Sequence, residues 1–282
     1  MTRPARRSLS IVGASAAALL ALSACSSSSG TSDASGSTGS GATATSGASS
    51  SATSAAKVDG TVTVFAAASL KESFTALGQE FEKAHPGAKV SFNFGGSDSL
   101  AASITGGAPA DVFAAASPKT MKIVSDAGDT AAAPVTFVRN QLEIATLPGN
   151  PDRIASLRDL TRSGLKVVLC DKTVPCGAAA QKALKASGLA LTPVSYEQDV
   201  KSALTKVELK EADAAVVYRT DVKAAGEKVQ GVEFPESAKA VNDYPIALLK
   251  DAPNAAAAQA FIDLVKSPEG QRALTGAGFL KP

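Results

Sequence analysis

Short runs of β-branched and aromatic residues alternate with amphipathic stretches along most of the chain, and this alternation restricts the fold more than any other feature. Residues 61–65 have the composition of a strand. The next stretch contains a run of large apolar residues, Leu70, Phe74, Leu77 and Phe81. Their steps of four, three and four residues are the spacing of one helix face. A second series of strands and helices opens near Asn140. Strands that alternate with helices predict an α/β fold built on mostly parallel sheets.

The start of the chain has the pattern of an export signal. Three arginines within the first seven positions precede an apolar run at residues 11–24, and small residues lead up to Cys25. A basic segment, a short apolar segment and small residues at the cleavage point are typical of a signal peptide. The cysteine at that point resembles the lipobox of bacterial lipoproteins. The resemblance implies that residues 1–24 are removed and that Cys25 carries a lipid anchor on the outer face of the cell membrane. The alternative is an ordinary signal peptide with an incidental cysteine.

Residues 25–56 form a segment of low complexity, rich in Ser, Gly, Thr and Ala. The segment has almost no large apolar side chain, so it cannot bury enough surface to offset the entropy lost on ordering. We therefore expect a disordered linker between the lipidated cysteine and the folded part. Residues 57–282 are enough chain for one two-lobed domain or two small domains.

The charge of the chain is nearly balanced. The sequence has 28 Lys and Arg residues against 26 Asp and Glu residues, and the predicted signal peptide removes three arginines. No cluster of Lys and Arg with interspersed aromatic residues stands out in the remainder. Because such a cluster is the footprint of proteins that bind phosphate backbones, we expect no nucleic acid partner.

Cys170 and Cys176 are the two cysteines that remain after Cys25. A pair six residues apart in an exported protein favours a disulfide, since disulfides persist in oxidising compartments. Metal ligation is the alternative, but the chain has no second cysteine pair and its only histidine, His85, is distant in sequence. We predict a Cys170–Cys176 disulfide and no site for a free metal cation.

Four predicted helix starts follow directly after predicted strands, at residues 66–70, 95–99, 174–177 and 198–200. In open α/β sheets, ligands bind at the carboxyl ends of strands, where a helix N-terminus offers N–H groups and a positive dipole end to an anion. None of the four places Lys or Arg ahead of its helix, although Lys71 and Lys201 lie in first turns. A site built from these starts would bind an oxyanion with neutral donors. The alternative is helix capping alone, through a capping box at Ser69 and an N-cap at Asp199.

Four segments resemble the signature motifs of the molybdate-binding proteins of ABC transporters. They are an opening strand and turn, a Gly-Gly-Ala-Pro-Ala-Asp segment, a strand that ends in tyrosine and a Tyr-Pro crossing, at residues 64–70, 106–113, 214–221 and 244–247. The resemblance extends over residues 61–281. It implies a two-lobed type II periplasmic-binding-protein fold, in which each lobe is a mostly parallel sheet flanked by helices. With this fold, lobe I comprises residues 57–139 plus 243–282, and lobe II comprises residues 140–242.

The resemblance also implies the ligand contacts and the function. Hydroxyl donors fall on Ser69 and Ser97, backbone N–H donors on Cys176 and Val200, and a phenol donor on Tyr218. The implied function is high-affinity binding of molybdate, and of tungstate, outside the cytoplasmic membrane, with delivery to an ABC permease. We expect a monomer that has no cofactor and catalyses no reaction.

Two other functions remain open at this point. A sulfate- or phosphate-type receptor would use similar donors, and Asp98 beside Ser97 bears on that choice. We expect Asp98 and Asp199 to point away from the ligand, because an inward carboxylate would repel a dianion. A serine hydrolase would use Ser69 as its nucleophile, but His85 lies beyond the far end of the same predicted helix, about 15 Å away.

The predicted lipid anchor can be tested by replacing Cys25. In Cys25→Ala the thiol that would carry the lipid is absent, so the precursor should stay unprocessed or the protein should leave the membrane fraction. Mass spectrometry and cell fractionation measure the two effects. An unchanged mass together with retention in the membrane would contradict the prediction.

Overall fold

The computed structural model describes residues 58–282; the predicted signal peptide, Cys25 and the linker lie outside this range. The described strands are β1 Gly60–Ala67, β2 Ala88–Gly95, β3 Val112–Ala114, β4 Val135–Asn140, β5 Leu142–Thr146, β6 Val167–Cys170, β7 Ser195–Glu197, β8 Ala214–Tyr218, β9 Gln230–Val232 and β10 Asn242–Leu248. The α-helices are α1 Lys71–Ala84, α2 Ser97–Thr105, α3 Pro118–Asp126, α4 Pro175–Ser187, α5 Val200–Glu208, α6 Arg219–Ala225, α7 Ala255–Lys266 and α8 Pro268–Gly276. No helix within residues 58–282 is long and apolar enough to cross a membrane.

The strands form two five-stranded sheets, in the orders β2-β1-β3-β10-β4 and β7-β6-β8-β5-β9. We call the part of the chain around the first sheet lobe I and the part around the second sheet lobe II. In lobe I, β1 is parallel to β2 and β3, whereas β10 is antiparallel to β3 and β4. In lobe II, β6 is parallel to β7 and β8, whereas β5 is antiparallel to β8 and β9.

The two-lobed α/β fold with mostly parallel sheets is confirmed, since four of the five strands of each sheet run in the same direction. The fifth strand of each sheet follows a crossing between the sheets. β5 begins lobe II and β10 returns the chain to lobe I, and each runs antiparallel to both of its neighbours. The residue bounds of the lobes, 57–139 plus 243–282 and 140–242, stay a prediction.

The predicted apolar face of α1 is buried against the first sheet. Leu70, Phe74 and Leu77 are completely buried, and Phe81 almost so. Phe261 of α7 meets the rings of Phe74 and Phe81 edge-on, at centroid distances of 5.8 and 5.6 Å. Burial of each such ring contributes about 1.5–3 kcal/mol, so this contact attaches α7 firmly to α1.

Asp111 gives the Gly-Gly-Ala-Pro-Ala-Asp segment a structural role. Its side chain is buried, and it accepts hydrogen bonds from the backbone N–H groups of Thr63 at 2.7 Å and Asn254 at 2.8 Å. The carboxylate therefore ties β1 to the segment that leads into α7. A buried carboxylate is tolerated when backbone donors satisfy it, which explains why an acidic residue ends this segment.

Several helix ends match their sequence signals. Gly188 ends α4 in the left-handed conformation, with a φ of 65°, which glycine adopts readily. α4 begins at Pro175, within the predicted start at residues 174–177. α3 and α8 were not predicted. Both begin with a Ser-Pro pair, and the serine side chain, Ser117 or Ser267, accepts a backbone hydrogen bond. A serine N-cap followed by proline is a known start signal, so these helices could have been found.

Candidate functional site

A small cavity lies between the two lobes at the carboxyl ends of β1, β2, β6 and β8. All five predicted ligand residues line it, together with further small or neutral residues and one carboxylate: Ser69, Ser97, Cys176, Val200 and Tyr218, with Ala67, Ala68, Gly95, Gly96, Ala116, Val174, Pro175 and Asp199. The volume of the cavity is about 20 Å³. A cavity of this size fits a ligand of few atoms. Neither Lys nor Arg occurs among the described residues that line it.

Helix starts bring backbone donors to the cavity from lobe II. Cys176 is the second residue of α4 and Val200 is the first residue of α5. N–H groups in the first turn of a helix have no acceptor within the helix. The Asp199 side chain accepts from the N–H groups of Lys201 and Ser202, at 2.8 and 3.0 Å. Asp199 is thus the predicted N-cap, and the Val200 N–H is not used by this cap.

Two serine hydroxyls reach the cavity from lobe I, and neither caps its own helix. Ser69 lies in a 3₁₀ turn after β1, and its Oγ is 2.8 Å from the Tyr244 hydroxyl. The alternative of a capping box at Ser69 is wrong, because α1 begins without a side-chain cap. Ser97 begins α2, and its Oγ accepts from the Ala116 N–H at 3.0 Å. The Ser97 hydroxyl proton therefore remains available to a ligand.

Tyr218 and Tyr244 form a buried pair beside the serines. Their rings meet edge-on with centroids 5.9 Å apart, and the Tyr218 hydroxyl accepts from Asn242 Nδ2 at 2.7 Å. Burial raises the pKa of each tyrosine well above its ordinary value, so both remain protonated at neutral pH. Tyr244 was not among the predicted site residues, although the Tyr-Pro crossing motif contains it. Its contact with Ser69 joins residues far apart in sequence, which a motif search alone does not detect.

The predicted disulfide between Cys170 and Cys176 is confirmed. It joins the end of β6 to the first turn of α4, with the two Cα atoms 5.9 Å apart. The residue after Cys176 must be glycine, because a Cβ atom on Gly177 would overlap the carbonyl oxygen of Asp171. The disulfide and this close approach together fix the loop that presents the Cys176 N–H group.

The lobes touch at the rim of the cavity. A Cβ atom built on Gly96 of lobe I would lie 2.6 Å from the carbonyl oxygen of Gln198 in lobe II. Lys201 Nζ of lobe II also lies 2.9 Å from Glu72 of lobe I and 3.1 Å from the buried Asp221. These contacts show the cleft in a closed arrangement. They also pair the Lys201 charge with two carboxylates instead of exposing it to the cavity.

Ion pairing and burial oppose each other at Lys201 and Asp221. Burial raises the pKa of Asp221 to about 6, and the neighbouring Lys201 ammonium limits that rise. Burial alone would lower the pKa of Lys201, but Asp221 and Glu72 raise it above its ordinary value. Lys201 is therefore charged at neutral pH.

The other candidate groups lie elsewhere. Asp98 does not line the cavity, and its Oδ1 atom turns back towards Gly96 in the first turn of α2. His85 follows the last residue of α1, a helix of 14 residues that begins beside Ser69. A helix of that length separates the two side chains by about 20 Å, too far for a hydrolase pair. Within residues 58–282, no group of three His, Cys, Asp or Glu residues could bind a metal ion.

Several known proteins are similar to this chain in sequence and fold. The molybdate-binding protein ModA of Mycobacterium bovis is 45% identical over 222 residues, which cover 79% of this chain and 85% of the relative. ModA of Escherichia coli is 34% identical over 233 residues, covering 78% of this chain and 89% of the relative. The periplasmic molybdate-binding protein of Azotobacter vinelandii has a similar fold, with a TM-score of 0.69, 21% identity and coverage of 78% of this chain and 99% of that one.

The family model of the bacterial extracellular solute-binding proteins matches residues 62–280. This range includes both sheets apart from the first two residues of β1, and every residue that lines the cavity. The chain belongs to the family of bacterial extracellular solute-binding proteins, and within it to the molybdate-binding proteins.

Proposed function

We propose that the cavity binds molybdate, and also tungstate, and that the protein delivers the anion to an ABC permease. The observation that carries this proposal is the lining of the cavity, where hydroxyl and backbone donors from both lobes meet and no lysine or arginine lies among the lining residues within 58–282. Molybdate at neutral pH is a fully deprotonated tetrahedral dianion, so it can only accept hydrogen bonds. Ser69, Ser97, Cys176, Val200 and Tyr218 would donate to it.

In this proposal the energy of binding the anion closes the two lobes around it, and no reaction is catalysed. The chain crosses between the sheets after β4 and before β10, and these crossings would act as the hinge. Donors from lobe I and lobe II reach the same anion only when the cleft is closed. An anchor at Cys25 would keep the monomeric protein at the outer membrane face, close to the permease.

Sulfate and phosphate receptors remain the alternatives within the same class. The described lining favours molybdate over phosphate, because phosphate near neutral pH still carries a proton that needs an acceptor. Asp199, the only carboxylate that the described part of the chain contributes to the lining, already accepts two backbone hydrogen bonds as an N-cap. A hydrolase based on Ser69 has no support, since its hydroxyl contacts a phenol rather than a base.

The two serines are predicted to be ligand donors. Ser69→Ala and Ser97→Ala each remove one hydrogen bond to a charged group, a loss of about 1.5–3 kcal/mol. Affinity for molybdate should therefore fall roughly 10- to 150-fold in each variant. Isothermal calorimetry measures the affinity, and a denaturation curve checks that the free energy of unfolding falls by only about 1 kcal/mol. Wild-type affinity in both variants would show that the two serines do not donate hydrogen bonds to the ligand.

Closure of the cleft is predicted to require glycine at position 96. The backbone there, with φ −61° and ψ 130°, suits any residue, so Gly96→Ala should fold normally. Its Cβ atom would collide with the Gln198 carbonyl across the cleft. It would also lie 2.8 Å from Asp98 Oδ1, but that atom is the end of a side chain that can turn aside. The Gln198 backbone carbonyl cannot, so molybdate affinity should fall at least about tenfold, or 1.4 kcal/mol.

The matched control for Gly96 is Gly276→Ala, a helical position where a Cβ atom meets nothing within 4 Å. It should keep wild-type affinity. Calorimetry, together with the contraction that small-angle scattering detects on ligand addition, distinguishes the two variants. Equal affinity and equal contraction in Gly96→Ala would mean that binding does not need the closed arrangement.

The order of anion affinities is also predicted: molybdate and tungstate together, then sulfate, and phosphate last. Sulfate has the right charge but is smaller, so a cavity sized for molybdate holds it with longer, weaker hydrogen bonds. Phosphate in addition carries a proton that the donors cannot accept. Competition titration against bound molybdate measures the order. Displacement by phosphate at a comparable concentration would contradict it.

A further inference from the structure

Two asparagines lie where the chain crosses between the sheets. Asn140 ends β4 and Asn242 begins β10, and the two residues are partners across the antiparallel pair. Both are buried, with 0% and 5% of their surface exposed. Neither lines the cavity. Buried amides need hydrogen-bond partners, so the groups that they contact indicate what they do.

Each amide contacts a tyrosine hydroxyl that leads to the cavity. Asn140 Nδ2 lies 3.3 Å from the Tyr244 hydroxyl, which in turn lies 2.8 Å from Ser69 Oγ. Asn242 Nδ2 lies 2.7 Å from the Tyr218 hydroxyl. Ser69 and Tyr218 line the cavity. Two chains of hydrogen bonds thus run from the crossing strands to two of the proposed ligand donors.

Backbone groups fix which way each amide points. Asn140 Oδ1 accepts from the Gln141 N–H at 2.9 Å, so its NH₂ group must face Tyr244 and the Thr220 hydroxyl, 2.8 Å away. Asn242 Nδ2 lies 3.3 Å from the carbonyl oxygen of Pro175, which can only accept. An NH₂ group only donates hydrogen bonds. Both tyrosine oxygens therefore accept from the asparagines.

The remaining protons can complete both chains towards the cavity. Tyr244 accepts from Asn140, and either oxygen of the Ser69–Tyr244 contact can be its donor. In the arrangement that an accepting anion requires, Tyr244 donates to Ser69 Oγ, which leaves the Ser69 proton for the cavity. Tyr218 accepts from Asn242, and its proton can reach either the Tyr244 hydroxyl or a ligand in the cavity; an anion that only accepts hydrogen bonds draws it to the cavity. Burial raises the pKa of Tyr218 and Tyr244, so neither proton is lost at neutral pH. With both chains in this direction, both hydroxyls present hydrogen to the ligand.

We propose that Asn140 and Asn242 are positioning residues for anion specificity, which orient the Ser69 and Tyr218 hydroxyls so that the site accepts a fully deprotonated oxyanion and rejects a protonated one. This inference rests on the proposed function. An O–H group on the ligand would meet a hydroxyl proton, and not a lone pair, at both Ser69 and Tyr218. A protonated ligand would therefore lose one hydrogen bond to the site.

Asn140→Asp and Asn242→Asp test the inference, because each keeps the shape of the side chain but replaces a donor with an acceptor. The carboxylate accepts a hydrogen bond from the tyrosine hydroxyl, which reverses the chain and turns a lone pair towards the cavity. Sulfate and phosphate at alkaline pH are the probes, since both are tetrahedral dianions and only phosphate carries an O–H group. The added charge weakens both anions alike. The ratio of sulfate to phosphate affinity should fall about tenfold or more in each variant, the effect of one hydrogen bond.

The charge control is Gln198→Glu, which adds a carboxylate at an exposed position on the cleft rim, outside the hydrogen-bond chains. It should leave the ratio unchanged. If the wild-type protein binds molybdate but the Asp variants keep the wild-type ratio of sulfate to phosphate affinity, the inference is overturned and the proposed function is not. Wild-type protein that binds no oxyanion would overturn the proposed function as well. If a variant does not fold, the wild-type ratio decides: sulfate must bind more tightly than phosphate, and equal affinities overturn the inference.

Discussion

A dianion that leaves water for a closed cavity must recover its lost hydration from donors that are already in place. This requirement explains the arrangement of the site. Strands of both sheets end at the cavity, and the turns after them present hydroxyls from lobe I and helix N-termini from lobe II. Neutral donors are sufficient because they are fixed: Ser97 by Ala116, the Cys176 loop by its disulfide, and Ser69 by Tyr244.

The cation next to the site in sequence serves the lobes rather than the ligand. Lys201 follows directly after the Val200 donor in the first turn of α5, yet its ammonium group turns to Glu72 and Asp221. Glu72 belongs to lobe I, so this ion pair exists only when the lobes are close. The desolvation cost of Lys201 is offset by two carboxylates. The cavity therefore keeps its neutral lining while a charge contact stabilises closure.

The sequence allowed the fold class and the five lining residues to be predicted, because each lies in a strand-to-helix turn that a local motif marks. The one antiparallel strand in each sheet was not predicted, since the direction of β5 and β10 depends on their partners and not on their own residues. Asn140, Asn242 and Tyr244 were missed for a related reason. Their hydrogen bonds join residues 24 to 175 positions apart, and an isolated asparagine at a strand end carries no signal of such a partner. Asp111 shows the converse, a residue in a signature motif that supports lobe I without reaching the cavity.

Selectivity in this arrangement separates into two independent properties. The size of the cavity sets the lengths of the hydrogen bonds and so distinguishes molybdate from the smaller sulfate. The direction of the hydroxyl protons distinguishes sulfate from phosphate, which have similar size and, at alkaline pH, the same charge. Size depends on how closely the lobes approach at Gly96 and Gln198, whereas direction depends on the two asparagines at the crossings. Changes at the rim should therefore alter the preference for molybdate over sulfate, while changes at the crossing strands should alter the preference for sulfate over phosphate.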